Sequence, residues 1–516
     1  MKSAETKLPN DTEKLKALLF DKDVLLDKKQ ARIDLLEEAL RFMRHKQFGK
    51  SSEKHIDQGE LFNEAELSAS EQACDQPPSS ETSSTQKNKS GGRKPFPKEL
   101  PRIAVYHALS EDEKANAIST FFDLVKEELD IIPAKIQVLQ HFQEKAVYEQ
   151  SGQRTIKSAL LPKHILPKSM ISLRVLAYIV ISKYADGLPL HRLEKILQRY
   201  GGDISRTNMA NWIIRLVEPL QPLLNLFRDQ LLEGFSINAD ETRIQVLKEP
   251  DKPPDSQSQM WVQVGGKKGQ KVIVFDYDPT RSAKVPLRLL SDYHGYLQTD
   301  GYAAYNEVCK QNGITQLGCW DHCRRKFKEA QQSEPKKKAS TAPSKAVIAL
   351  NLIAKLYAVE AQIKSLTAEE KWQQRQERSL PILNQLKEWS EAVSSKVAKG
   401  SKTGKALTYM NNQWGKLIRY CDDGRLNISN CSAENAIRPF VVGRKAWLFA
   451  DTPRGANASA ALYSIIETAK TNGLEPYQYL CHIFKELPQA NSVEDYERLL
   501  PWNVDTEKLV DYGRHA

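Results

Sequence analysis

Three carboxylates stand out for what their surroundings would cost or permit. Asp240 lies inside an apolar, alternating stretch, FSINADETRIQVL, flanked by Ile237 and Ala239. An ionised acid there is costly unless something positive compensates it. Asp300 closes a second stretch, LQTDGYAAY, where Gly301 lets the chain turn and leaves the acid at the carboxyl end of an expected strand. Glu434 is the one acid of SAENAIRPFVVGRKAWLF, a segment that carries Arg438, Arg444 and Lys445 and ends in Trp447 and Phe449. Two close carboxylates repel, and a divalent cation relieves the repulsion. Three oxygen ligands with open positions suit hard, hydrated Mg2+ or Mn2+, which a phosphate can bridge. Such ions acidify a bound water and stabilise a leaving 3′ oxygen, the needs of phosphodiester hydrolysis. In that arrangement Arg438, Arg444 and Lys445 grip phosphates beside the scissile bond. Trp447 or Phe449 either stacks on an unpaired base or packs in the core. Glu241, next to Asp240, is expected on the other side of its strand.

A second cluster lies in GCWDHCRRKF. Cys319, His322 and Cys323 offer three zinc-type donors, but zinc normally takes a fourth ligand and wider spacing. Contacts from His322, Arg324 and Arg325 to DNA or a flanking phosphate are the preferred reading, with Trp320 and Phe327 packing.

Positioning these groups requires a layered core. From Leu232 onward the text runs three strands, helix, strand, helix, strand, helix, which suggests an α/β fold of the ribonuclease H type over residues 233–330 and 421–475. In that topology the first and fourth strands are neighbours, so Asp240 and Asp300 would face each other. Residues 331–420 interrupt the core as a helical insertion, and 476–516 form a C-terminal segment. Residues 166–232 read as helical. Within them LHRLEKILQRYG stops at Gly201 and Gly202, and Ser205 is suited to cap a second helix, RTNMANWIIRL. This is either a helix-turn-helix offering Arg206, Thr207, Asn208 and Asn211 to a DNA groove, or an ordinary helical hairpin.

Further upstream, residues 103–165 read as a small mixed unit, helical around EDEKANAISTFFDLVKEEL and strand-like in AKIQVLQHFQEKAVYE. Residues 56–102 have linker composition and end in the basic turn GRKP. In residues 1–55 an apolar seam at Leu19, Leu26, Ile33, Leu36, Leu40 and Met43 has coiled-coil spacing. Lys22 and Lys29 interrupt it, so self-pairing and packing on the same chain both remain open.

Composition bounds the partners. With 516 residues, a formal charge of +10 and a sequence pI near 9.0, the chain favours a polyanion. Seven cysteines without a CxxC pair fit a reducing cytosol. The absence of a run of about 18 apolar residues argues against membrane spanning.

Taken in order, the motifs RHKQFGKSSEK, LFNEAE, GRKPFPKELPR, SKYADGLPLHR, INADET, LQTDGYAAY, GCWDHCRRKF, the block from DDGRLNISNCSAENAIRPF to IETAKTNG, and LLPWNV closely resemble the transposases of the insertion sequence sixty-six family, the TnpC type. The resemblance spans nearly the whole chain. It implies a DDE transposase with a leucine-zipper-like N-terminus, a helical DNA-binding region and a ribonuclease H-like core. Its acidic triad falls on Asp240, Asp300 and Glu434 as catalytic and metal-holding residues. It further implies Mg2+-dependent hydrolysis at element ends and attack of the 3′ hydroxyl on target DNA. The expected partners are double-stranded terminal repeats and target DNA, further copies of the chain on that DNA, and accessory proteins of the element. Many members carry a cysteine-rich zinc unit after GRKP, whereas residues 103–165 contain no cysteine. That unit therefore reads as a degenerate zinc-finger-like fold, and no zinc is expected. Rival readings are a nuclease or resolvase on the same fold and a DNA-binding protein without catalysis.

Overall fold

The computed structural model describes residues 135–150, 153–333 and 343–509, with 102–106, 121–124 and a few isolated positions before them. Apart from such positions, the zipper-like helix of residues 1–55 and the linker with GRKP lie outside the described residues. The chain divides into two units, residues 1–55 with 141–516, and residues 56–140. In the second, the rings of Tyr106 and Phe122 meet edge to face at 4.9 Å. The text expected to be helical around EDEKANAISTFFDLVKEEL is not helical at its described positions, Ser119, Phe121–Leu124 and Glu128. The strand text that follows forms a strand only from Lys145 onward. There β1 (Lys145–Gln150) and β2 (Gln153–Ser158) make an antiparallel hairpin. Val138 and Phe142 in the preceding stretch are exposed, and alternation without a face to bury does not organise a strand.

Four helices follow: α1 (Leu173–Tyr184), α2 (Leu190–Arg199), α3 (Arg206–Arg215) and α4 (Val217–Leu232). As the sequence suggested, Ser205 caps α3, its hydroxyl accepting the Asn208 N–H at 3.2 Å. The main sheet then begins with a meander, β3 (Ser236–Gln245), β4 (Gln257–Lys267) and β5 (Gln270–Asp278). After α5 (Lys284–Leu289) come β6 (Tyr296–Gln298), α6 (Ala304–Asn312), β7 (Thr315–Leu317) and α7 (Trp320–Gln332). The strand order is β5-β4-β3-β6-β7, with β3 antiparallel to β4 and parallel to β6. The first and fourth strands are therefore neighbours.

The chain returns to this sheet as α12 (Cys431–Trp447) and α13 (Pro453–Thr471). Most of α13 is buried. Its Ser464 and Thr468 hydroxyls accept the Phe275 and Ile273 N–H groups of edge strand β5, at 2.8 and 3.0 Å. Helix side chains thus satisfy backbone groups that a bare edge would present to another chain. The C-terminal segment adds α14 (Pro476–Glu486), α15 (Val493–Glu497) and α16 (Thr506–Leu509).

Between α7 and α12 the insertion contributes α8 (Lys345–Gln362), α9 (Ala368–Gln374), a π-helical turn (Arg375–Ser379), α10 (Leu380–Ser394) and α11 (Lys402–Leu417). Its core joins Leu352, Ile353, Leu356, Leu386 and Met410 to Trp320, Cys323 and Phe327 of α7. Arg375, almost fully buried, binds Glu360 through two nitrogens at 2.9 and 2.7 Å. It also donates to the carbonyls of Tyr420, Asp423 and Leu426. One guanidinium thereby fixes the return segment that leads into α12. Among the described residues no helix is long and apolar enough to cross a membrane.

Candidate active site

Asp240 and Asp300 are brought together by strand register. Asn238 of β3 pairs with Gln298 of β6, and continuing that parallel register by two residues sets Asp300 beside Asp240. Adjacent strands lie about 4.8 Å apart. Past β6 the chain turns at Gly301, φ +94°, where a Cβ would press on Gln413 and the Tyr409 hydroxyl. The turn is held by the Tyr302 N–H donating to Asp300 Oδ1 at 2.8 Å and by the Tyr409 hydroxyl donating to the Asp300 carbonyl at 2.6 Å.

Glu434 reaches the same region from the first turn of α12. The position of that turn is set by Asn430, whose Nδ2 donates to the Ala239 carbonyl at 2.9 Å. Asn238 in turn donates to Gln298 Oε1 at 2.9 Å and to Asn430 Oδ1 at 3.0 Å, and Gln298 donates to the Gly318 and Asn427 carbonyls. These buried amides join β3, β6 and α12 into one frame. The sequence holds a signal for them. Asn238 and Gln298 each precede an aspartate by two residues, the spacing of one strand face, and Asn430 precedes Glu434 by one helical turn.

The carboxylates crowd one another. Burial raises the Asp240 carboxyl well above its ordinary range, and the charges of Glu241, Asp300 and Glu434 raise it further. Burial also raises Glu434, while His322 and Arg325 pull it back and Asp321 and Asp300 push it up. Glu241 points elsewhere, as expected. It accepts from Arg281 at 2.6 Å and from the Tyr305 hydroxyl at 2.9 Å, although burial still raises it. A buried oxygen of Glu434, Oε1, accepts no hydrogen bond and faces the equally unpartnered Nδ1 of His322 at 3.5 Å. Two carboxyls raised by burial and neighbouring charge, Asp240 and Glu434, with an orphaned oxygen on the second, fit a divalent cation.

The sequence-expected residues divide by place. His322, Arg324 and Arg325 lie on α7, and Arg325 is close enough to affect Glu434. The zinc-type trio is rearranged. Cys319, His322 and Glu434 have donor atoms within 4.8 Å of one another, while Cys323 is buried in the insertion core. Among the described residues the three acids do not themselves form a group that tight. Arg438, Arg444 and Lys445 follow Glu434 along α12, and the half-buried Arg444 donates to the Thr242 hydroxyl at 3.3 Å. Trp447 packs edge to face on Phe440 at 5.5 Å, whereas Phe449 is exposed. Helix α12 passes its neighbours closely at Gly443, where a Cβ would come 2.7 Å from the Tyr463 hydroxyl. Arg206, Asn208 and Asn211 are exposed on α3, whose Met209 and Ile213 are buried.

Comparison with known proteins bears on the family of the chain. Residues 168–458 match the model described as Transposase IS66 family, residues 464–502 the IS66 C-terminal element, and residues 35–105 the Transposase C of IS166 homeodomain. Among similar chains, the uncharacterized protein y4qI of Sinorhizobium fredii (strain NBRC 101917 / NGR234) is 32% identical over 395 residues, covering 74% of this chain and 71% of that one. From the same strain, uncharacterized protein y4jD is 27% identical, covering 80% and 82%, and uncharacterized protein y4hP is 26% identical, covering 90% and 88%. By these matches, which together extend over most of its length, the chain belongs to the IS66 transposase family.

Proposed function

We propose that the protein cuts DNA at the ends of its mobile element by metal-dependent phosphodiester hydrolysis and joins the freed 3′ hydroxyl to target DNA. Asp240, Asp300 and Glu434 are the catalytic triad and would hold Mg2+ or Mn2+. Bound there, such ions supply water activation and stabilise charge on the leaving 3′ oxygen. The observation that supports this most is the joint placement of the acids: Asp300 beside Asp240 by register, and Glu434 one turn beyond an asparagine bonded to the Ala239 carbonyl. The β5-β4-β3-β6-β7 order supports a ribonuclease H-like reading of the core.

Other residues act on the DNA. Arg438, Arg444 and Lys445 run back from Glu434 along α12 and engage backbone phosphates. His322, Arg324 and Arg325 on α7 flank the reacting phosphate. The exposed Arg206, Asn208 and Asn211 of α3 enter a groove of the terminal repeat. Phe449, rather than the packed Trp447, is the ring free to stack on a base.

The test is cleavage and joining of end-containing DNA in Mg2+ or Mn2+ by the wild type, Asp240→Ala and Glu434→Gln. Loss of both products in both variants is expected. Unchanged cleavage by either variant contradicts the proposal, and wild-type cutting without joining identifies a nuclease instead.

A further inference from the structure

We propose that Cys319, His322 and Glu434 form a second, softer cation site for a borderline divalent ion such as Zn2+, which shares Glu434 with the Mg2+ site and so competes with it. The proposal rests on the reading of Glu434 given above. Its donor atoms lie within 4.8 Å of one another, and two of them, His322 Nδ1 and Glu434 Oε1, are buried, 3.5 Å apart, and without a hydrogen-bond partner. Metal–donor bonds of about 2.0–2.3 Å separate tetrahedral ligands by roughly 3.3–3.8 Å, so small side-chain adjustments close the set on one ion.

Donor type decides which ion. A thiolate and an imidazole are poor ligands for Mg2+ and good ones for Zn2+ or Co2+. Cys319 is fully buried directly before α7, and its sulfur accepts the Asn430 N–H at 3.2 Å. Burial holds the Cys319 thiol well above its ordinary range, and the charges of Asp321 and Glu434 raise it further against the Asn430 and His322 N–H groups, so an ion seated here must displace the thiol proton. Three protein ligands of mixed type leave a fourth position open, as in zinc sites that bind water or substrate. Here the fourth ligand would be a water or a DNA phosphate oxygen. The site takes its carboxylate from α12, so an ion seated on the α7 side withdraws an oxygen from the aspartates.

Titration of the full chain with Co2+ and then Zn2+, in the absence of DNA, tests the site. One Co2+ should bind with a sulfur-to-cobalt charge-transfer band, and one equivalent of Zn2+ should displace it. Cys319→Ser should abolish the band and weaken Zn2+ binding by at least about 100-fold, given that even outer-shell changes cost 10–100-fold. His322→Gln, at a partly exposed side chain, should weaken Zn2+ comparably and serves if the serine variant fails to fold. Cys309→Ser, at a cysteine on α6, should leave the titration unchanged. Cobalt binding without a thiolate band, or equal Zn2+ affinity in wild type and His322→Gln, overturns the proposal. None of these readouts requires cleavage, so failure here leaves the Asp240→Ala result standing, and the reverse also holds. With cleavage in hand, stoichiometric Zn2+ should inhibit the Mg2+ reaction of the wild type at least about 10-fold more than that of His322→Gln, each measured against its own zinc-free rate.

Discussion

The main sheet carries two groups of acids, and they are treated in opposite ways. On β5, Asp276 is gripped by Arg228 of α4 at 3.0 Å and by Arg288 of α5 at 2.7 Å, with Asp278 also reached by Arg288. Across β4, Asp240 sits among Glu241, Asp300 and Glu434, and the charges that act most strongly on it are negative. Helices brought paired arginines to the first group, and to the second another acid, Glu434, with Arg325 of α7 acting on it from nearby. Acids that the fold neutralises itself are architecture, whereas acids gathered and left in mutual repulsion await a cation from outside.

The largest effect should separate the two groups by function. Asp240→Asn is expected to reduce DNA cleavage on the order of 10⁴-fold, close to 5.5 kcal/mol at 1.36 kcal/mol per tenfold. Asp276→Asn should keep cleavage within about 3-fold while lowering stability by about 1–3 kcal/mol, measured by denaturant unfolding. Equal loss of cleavage in both would erase the distinction.

Much of this was legible in the sequence, for physical reasons. The five strands and their helices alternate in a way that only a layered core satisfies, and Asp240 is conspicuous because an acid inside a buried strand is expensive. The amide frame of Asn238, Gln298 and Asn430 was missed because a lone amide in a strand or cap looks like ordinary polar text. Arg375 was missed because its partners, Glu360 and three carbonyls in residues 420–426, are scattered in sequence and meet only in the fold. Most of residues 111–129, where the text reads as helical, lies outside the described residues.

Next in size is Arg375→Ala, which strips a buried Glu360 and three carbonyls of their donor. A loss of about 3–4 kcal/mol in unfolding free energy is expected, larger than for Asp276→Asn. It would show that the insertion, as well as the sheet, sets where Glu434 stands. Asn430→Ala should cost about 2–3 kcal/mol, because Ala239 and Asn238 lose buried partners, and should reduce cleavage more than Asp276→Asn does.

The smallest expected effect is a pH dependence. Asp240 and Glu434 bind protons more tightly folded than unfolded, so the metal-free protein loses stability as pH rises from the ordinary carboxylate range through their raised values. Asp240→Asn removes part of this, and its melting temperature should fall less than the wild type's as pH rises above the ordinary carboxylate range.

The most direct test of the central claim is to let the bound ion report its own neighbours. Fe2+ loaded in place of Mg2+, with peroxide and ascorbate, cleaves the polypeptide where the metal sits. Cuts near residues 240, 300 and 434 together, all lost in Asp240→Asn and suppressed by excess Mg2+, are predicted. Cuts clustered at Asp276, or a pattern indifferent to Asp240→Asn, would contradict the account.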